Sequence, residues 1–341
     1  METLLSITRA QQALHIGETG EAAAARRQAV LLAQRLGLDE TRAGRVALVA
    51  TEAATNIEKH AGEGEILLQT VSDGDLVGVE ILALDRGPGM ASLENALVDG
   101  RSSVGTYGVG LGAMRRQADE FDAWSHSGMG TALRMVVWSA APAQPRRAGI
   151  KLGTVCLPYP GETVCGDAWL ANVDEDMVTL MVCDGLGHGA AASQAAAEAC
   201  RAASGNMHPP AMLIHQIDAA MRGTRGAALA LARVDRVAGM VDFAGVGNIA
   251  ASVCGAQRRH QLVSHNGIVG ATMNRVQAFT TPWEAGSLFI AHSDGMSSRW
   301  QLADYPGLLA AHPALVAGVL YRDYRRGRDD TTVLVMREEA S

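Results

Sequence analysis

The sequence predicts an α+β protein of two domains: a mixed sheet with helices on one face, then two packed sheets covered by helices. Three observations carry that expectation. At 341 residues the chain is long for one domain. Hydrophobic residues make up 48% and charged residues 19%, enough apolar material for real cores and too little charge for disorder. The composition also shifts once. After the strand-like TALRMVVW comes SAAPAQPRRAGIKLG, whose small residues, two prolines and two arginines read as a linker. The expected division is 1–140, a linker at 141–150, and 151–341.

The first half opens on an extended segment, Leu4–Thr8, followed by helices over about Gly20–Leu36 and Thr41–Lys59. Strands EILLQTV and VGVEILAL flank an SDGD turn, a hairpin signal. A glycine-rich region leads into the helix LGAMRRQADEF, and strands DAWSHS and TALRMVVW turn through GMG. Such a sheet buries one face under its helices. In the second half, strands AWLANV, MVTLMVC, ALALARV, MVDFAGV, ASVCGA, SLFIAHS and TTVLVMR alternate with few helices, chiefly AAASQAAAEACRAA and PALVAGVLYRDY.

Charge and cysteine usage narrow the function classes. A net charge of −7 argues against a nucleic-acid footprint, and the pairs Arg258-Arg259 and Arg325-Arg326 read as solvated faces. The five cysteines form no CxxC pair, so free thiols in a reducing cytosol are expected rather than disulfides or zinc. Glu2 and Arg9 interrupt any apolar leader, and no apolar run approaches the ~20 residues of a membrane helix. The expectation is a soluble cytoplasmic protein that binds neither nucleic acid nor membrane.

A first constellation starts at VATEAATNIEKHA. As a helix, this segment puts Glu52 and Asn56 one turn apart beside an apolar stripe of Val46, Val49, Ala50, Ala53 and Ile57. Alone, that is an ordinary surface acid and amide. Downstream, LALDRGPGM places Asp85 at a strand end before Gly87 and Gly89, where a carboxylate can accept from an exocyclic amine and a flat ring can approach the backbone. GVGLGAMRRQ then sets Gly108, Gly110 and Gly112 just before a helix, whose first N–H groups can bind phosphate. Each signal is weak alone, and their order and spacing give them weight.

These segments resemble the N-box (EAATNIEKHA), adenine box (DRGPGM) and lid-end glycine box (GVGLGAMRRQADEFD) of the GHKL, or Bergerat, ATP-binding fold, over residues 1 to about 140. The similarity is to RsbT-like and RsbW-like anti-sigma serine kinases. It implies that Asn56 binds the Mg2+ of ATP, that Glu52 is general base toward a substrate hydroxyl, and that Asp85 holds the adenine amino group. Magnesium needs oxygen ligands, and a base must stand beside the phosphoryl acceptor. A sensor histidine kinase would need a helical hairpin carrying a phosphoacceptor histidine. Only about fifty residues precede Glu52, and they fit the fold's own first strand and helix, so His15 reads as an ordinary residue.

The second constellation is a set of aspartates at strand ends. Asp167 lies at the start of a strand, Asp184 and Asp294 follow MVTLMVC and SLFIAHS, and Asp329 and Asp330 precede TTVLVMR. One Asp-Gly turn is mostly local turn chemistry. Several such carboxylates meeting at one sheet end would repel without cations, and all-oxygen ligands specify Mg2+ or Mn2+ over zinc. His188 and His292 read as neighbours rather than ligands.

GDAWL, VCDGLGHG, AGVGN, HSDGM and GRDDTTVLV resemble the PPM serine/threonine phosphatases of the SpoIIE-like and RsbX-like branch, an α-β-β-α sandwich. The resemblance implies that Asp184 is the bridging metal ligand, joined by the Gly185 carbonyl. Asp294 and Asp329 complete the metal core, and Asp167 is an added ligand or lies just behind one. One departure is VCGD before Asp167, where many relatives carry a second glycine or a serine. The function expected is a bifunctional enzyme of a partner-switching pathway. It dephosphorylates and phosphorylates serine or threonine on a STAS-domain antagonist, and so acts indirectly on a sigma factor or another regulator. The alternative is a phosphatase whose ATP domain only binds nucleotide and sequesters or senses a partner.

Overall fold

The computed structural model describes residues 2–5, 11–18, 20–93, 110–141, 149–255, 258–273 and 275–339. Its chain gathers into two units. The first comprises Gln11–Arg146 and Gln301–Arg322; the second comprises Met1–Ala10, Arg147–Trp300 and Asp323–Ser341.

In the first unit, helices α1 (Glu21–Arg35), α2 (Glu40–His60) and α3 (Gly110–Gln117) lie on an antiparallel sheet. Its strand order is Gln12–Ile16, Gly64–Asp73, Leu76–Asp85, Thr131–Trp138, Glu120–Ser125. Helix α1 buries Ala25, Ala29 and Ala33, one turn apart and small enough for α2 to approach closely. The Glu21 carboxylate accepts from the Gly17 and Glu18 amides at 2.7 and 2.8 Å, a favourable charge in a first helical turn. Asp39 caps α2 by accepting from the Arg42 amide at 2.7 Å. The α2 stripe of Val46, Val49, Ala50, Ala53 and Ile57 is buried with Val79, Ile81, Ala83, Leu133 and Met135 of the sheet. Helix α3 stops at Gln117 rather than running on through ADEF. Asp119 is held elsewhere, its carboxylate accepting from the Trp138 amide and pairing with Arg45, both at 2.8 Å.

Leu82 and Leu84 alternate with Ile81 and Ala83 and so point to the sheet's other face. The helix Pro313–Tyr324 packs there: a Cβ on Gly318 would stand 2.8 Å from Leu82 Cδ2 and 2.9 Å from Leu84 Cδ2. Trp124 Nε1 donates to the Pro306 carbonyl at 2.9 Å on the same side. This helix, grouped with the second half by chain position, thus serves the first unit's sheet through Arg322.

The second unit stacks two antiparallel sheets. One runs Glu2–Leu5, Asp167–Val173, Met177–Gly185, Ala227–Asp235, Met240–Val246, Phe279–Pro282; the other runs Arg259–Leu262, Ala250–Cys254, Leu288–His292, Thr331–Glu338, Ile150–Leu157. Trp169, Leu180, Val182, Phe243, Phe289 and Leu334 fill the space between them. Helices α4 (Ala190–Ala203) and α5 (Pro210–Met221) set Ala195, Ala199, Leu213 and Ile217 against Leu170, Met181 and Leu229 of the six-stranded sheet. The extended start expected at Leu4–Thr8 runs Glu2–Leu5 and pairs with Asp167–Val173, while residues 6–8 lie outside the described residues. The first unit's sheet opens instead at Gln12–Ile16, which buries one side chain fully and so lacks a clear alternation. Most of the expected linker, residues 142–148, also lies outside the described residues. Among the described residues no helix is long and apolar enough to cross a membrane.

Candidate functional site

Sheet pairing does the first part of the assembly in the second unit. Asp167 and Asp184 sit opposite one another on adjacent strands. On the facing sheet, His292 pairs with Val333, so Asp294 and the Asp329-Asp330 doublet leave neighbouring strands at one end. Ser293 joins the two sheets: its hydroxyl donates to Asp167 Oδ2 at 2.6 Å and accepts from the Thr332 amide at 2.9 Å. Asn248 Nδ2 donates to Asp294 Oδ2 at 2.7 Å, and the Tyr159 amide donates to Asp330 Oδ1 at 2.8 Å. The Gly185 amide donates to the Gly166 carbonyl at 3.1 Å.

Electrostatics show how closely these groups crowd. Burial, then the charges of Asp294, Asp329 and Asp330, push the Asp184 carboxyl up to about 7. Burial and the Asp184 charge hold Asp167 well above the usual carboxylate range. Asp294 is raised by burial and by Asp329, against Arg326; Asp330 is raised chiefly by burial. Asp167 Oδ1 and Asp330 Oδ2 are buried with no hydrogen-bond partner, an arrangement that costs free energy unless a cation or proton meets them.

The donor set is all oxygen and fits a hard divalent cation. Among the described residues, no three His, Cys, Asp or Glu side chains close onto one point as a finished ligand set. A cation there would complete its shell with the Gly185 carbonyl and water, as Mg2+ commonly does. Asp330 is the member that sequence reasoning did not assign a role; the only signal was the doublet itself. His292 is buried, with Nδ1 2.9 Å from the Ser293 carbonyl and Nε2 accepting from Trp300 Nε1 at 3.2 Å. Burial lowers it to about 4, so it is a neutral packing residue. His188 Nδ1 lies 3.0 Å from Glu162 Oε1, and its ring stacks on Tyr159 at 4.9 Å.

In the first unit, Glu52 and Asn56 are half-buried one turn apart on α2. Gly110 opens α3 beside them: a Cβ there would stand 3.2 Å from Glu52 Oε2. Gly112 is buried in α3, and Gly108 lies outside the described residues. Asp85 ends its strand nearly buried, with Oδ1 accepting from the Gly87 amide at 2.8 Å and the Thr131 amide at 3.2 Å. Burial raises its carboxyl, against those two amides and Arg322, whose Nη1 donates to the Asp85 carbonyl at 2.6 Å. The loop glycines serve close packing. A Cβ on Gly87 would meet Ala61 Cβ at 2.8 Å, and Gly89 takes the left-handed φ of +65° against the His126 carbonyl. Both bonds to Asp85 Oδ1 leave its second oxygen facing away from those amides. Asp85 at a strand end, with Gly87 beside its Oδ1, and Glu52 beside Gly110 at the start of α3 are the groups that a nucleotide would need.

Two family models match the chain, and the second runs through Gln301–Arg322, which the structure gathers into the first unit. Residues 18–137 match a family described as the histidine kinase-like ATPase domain, and residues 174–339 match stage II sporulation protein E, SpoIIE. The chain is 33% identical over 128 residues to the serine/threonine-protein kinase RsbT of Bacillus subtilis (strain 168), covering 38% of this chain and 96% of that protein. It is 27% identical over 142 residues to the phosphoserine phosphatase RsbX of the same organism, covering 40% of this chain and 70% of that protein. A solved structure described under the bacterial stressosome, a modular system adapted to control secondary messenger signaling, aligns with TM-score 0.51 and 32% identity. That alignment covers 55% of this chain and 99% of the other.

Proposed function

This chain joins an RsbT-like GHKL ATPase domain to a SpoIIE-type PPM phosphatase domain, and from that premise we propose a bifunctional protein-serine/threonine phosphatase and kinase. The observation that carries the phosphatase reading is the convergence of Asp167, Asp184, Asp294, Asp329 and Asp330 at one sandwich end, with two buried carboxylate oxygens unpartnered. In this reading Asp184, Asp294 and Asp329 hold two Mg2+ or Mn2+ ions with the Gly185 carbonyl, and Asp167 stands as a further ligand. Such ions make a bound water nucleophilic at neutral pH and offset charge on the phosphoryl group. Ser293 and Asn248 orient Asp167 and Asp294 through the bonds described above, which keeps each carboxylate aimed before substrate arrives.

In the first unit, Asp85 takes the adenine amine on its free oxygen and Asn56 holds the Mg2+ of ATP. Glu52 accepts the proton of the attacking serine or threonine hydroxyl, a role that needs a carboxylate at the mouth of the phosphate site beside Gly110. The substrate of both activities is a STAS-domain antagonist, set between two phosphorylation states by one polypeptide. The test is a phosphoserine-bearing STAS protein incubated with the full chain and Mn2+. Release of phosphate should disappear on chelation and in Asp184→Asn, which should still bind ATP. Hydrolysis that survives chelation would end the phosphatase assignment, and wild-type protein that moves no label from ATP to the partner would end the kinase assignment.

A further inference from the structure

Two of the five cysteines are neighbours in space although nine residues apart in sequence: Cys156 Sγ and Cys165 Sγ are 3.8 Å apart. Their settings differ. Cys156 lies in the strand Ile150–Leu157, buried, with Thr332 Oγ1 donating to its sulfur at 3.3 Å. Cys165 is only partly buried, in the loop that leads to Asp167, and its neighbour Val164 is 40% exposed. One sulfur is therefore fixed to the sheet, and the other sits on a segment that solvent reaches.

We propose that Cys156 and Cys165 form a reversible disulfide that gates the carboxylate cluster. A disulfide needs its sulfurs about 2.05 Å apart, so closure draws them together by roughly 1.8 Å. Because Cys156 is anchored, Cys165 moves. Gly166 and Asp167 follow it, and each has a job in the cluster: the Gly166 carbonyl accepts from the Gly185 amide, and the Asp167 carboxylate is held by Ser293. Gly166 also leaves no slack, since even a Cβ would stand 2.6 Å from Asp330 Oδ2. Closing the sulfurs thus shifts a ligand carboxylate and the strand end that carries Gly185 together.

The oxidant is a hydroperoxide. The Cys165 thiolate attacks one peroxide oxygen, the O–O bond breaks, and the departing hydroxide leaves as water with the thiol's proton. The resulting sulfenic acid is attacked by Cys156; the S–S bond forms, the S–O bond breaks, and a second water leaves. Two thiols are oxidised by two electrons, and one hydrogen peroxide is reduced to two waters. A small dithiol reverses the step by exchange.

The gating rests on the phosphatase reading, whereas the disulfide does not, and the experiment separates them. The full chain is held in hydrogen peroxide, digested without reduction, and mapped by mass spectrometry, while Mn2+ binding is measured by equilibrium dialysis. Titratable thiols should fall from five to three, with a Cys156–Cys165 linked peptide. Mn2+ affinity should fall at least tenfold and recover with dithiothreitol. Cys165→Ser should bind Mn2+ equally before and after peroxide, and Cys156→Ser serves if that variant folds poorly. A map showing no Cys156–Cys165 link, or a link elsewhere such as Cys183–Cys200, overturns the proposal; so does a Cys156–Cys165 link that leaves Mn2+ affinity unchanged. A reduced chain that binds no Mn2+ overturns the phosphatase reading and the gating with it, whatever the thiol map shows.

Discussion

Gly166→Ala is the smallest change that tests whether the carboxylate cluster is a catalytic site. The added methyl would lie 2.6 Å from Asp330 Oδ2 and 2.8 Å from Ala192 Cβ, with the Gly187 carbonyl 3.4 Å away. Carbon atoms rest comfortably at about 3.5 Å or more, so the start of α4 must retreat by roughly 0.7 Å. The Asp330 carboxylate must yield by a similar amount, and it is tied to the Tyr159 amide at 2.8 Å. Overpacking of this size costs about 1–3 kcal/mol, which the rest of the unit can absorb. Turnover is more sensitive, because displacing reacting groups by about 1 Å can cost 10²-fold. The expected result is a folded protein whose Mn2+-dependent hydrolysis of a phosphoserine peptide falls by about 10- to 100-fold. Circular dichroism checks the fold, and undiminished ATP binding checks the other unit. Turnover within twofold of the wild type would refute the reasoning, since the cluster would then tolerate a displaced Asp330.

Three further outcomes are expected. Glu52→Gln should abolish phosphate transfer to the partner while nucleotide affinity, read by fluorescence titration, stays within a few fold; unchanged transfer would remove Glu52 from the base role. Gly44→Ala sits on an exposed turn of α2 with nothing within 4 Å of the new methyl, and should raise stability by about 1 kcal/mol in urea unfolding. Arg134→Met should cost about 3–5 kcal/mol in the same measurement, because it leaves the buried Glu80 carboxylate, and with it those of Glu120 and Asp122, without their cation.

How much of this the sequence disclosed depended on whether a signal was local. Glu52 and Asn56 could be placed because helical spacing alone sets them one turn apart, and α2 keeps its full stripe. Asp184 and Asp294 could be named because each follows a run of apolar strand residues and precedes glycine. Asp329 and Asp330 could not be told apart so easily. In a strand-entering doublet, pleat alternation decides which side chain turns inward, and only register with Ile150–Leu157 fixes that. The Cys156–Cys165 approach sets a strand residue against the loop that leads to the next strand, and it leaves no trace in spacing. The helix Pro313–Tyr324 failed for another reason: it is buried from Pro313 through Arg322, so it has no polar face to orient it. A helix apolar on every side tells a reader that it is covered without saying by what. Chain order then suggested the nearer sheet, and packing against Leu82 and Leu84 chose the farther one. Local chemistry was therefore legible wherever one element carried it, and the parts that required two distant segments to meet had to come from the structure.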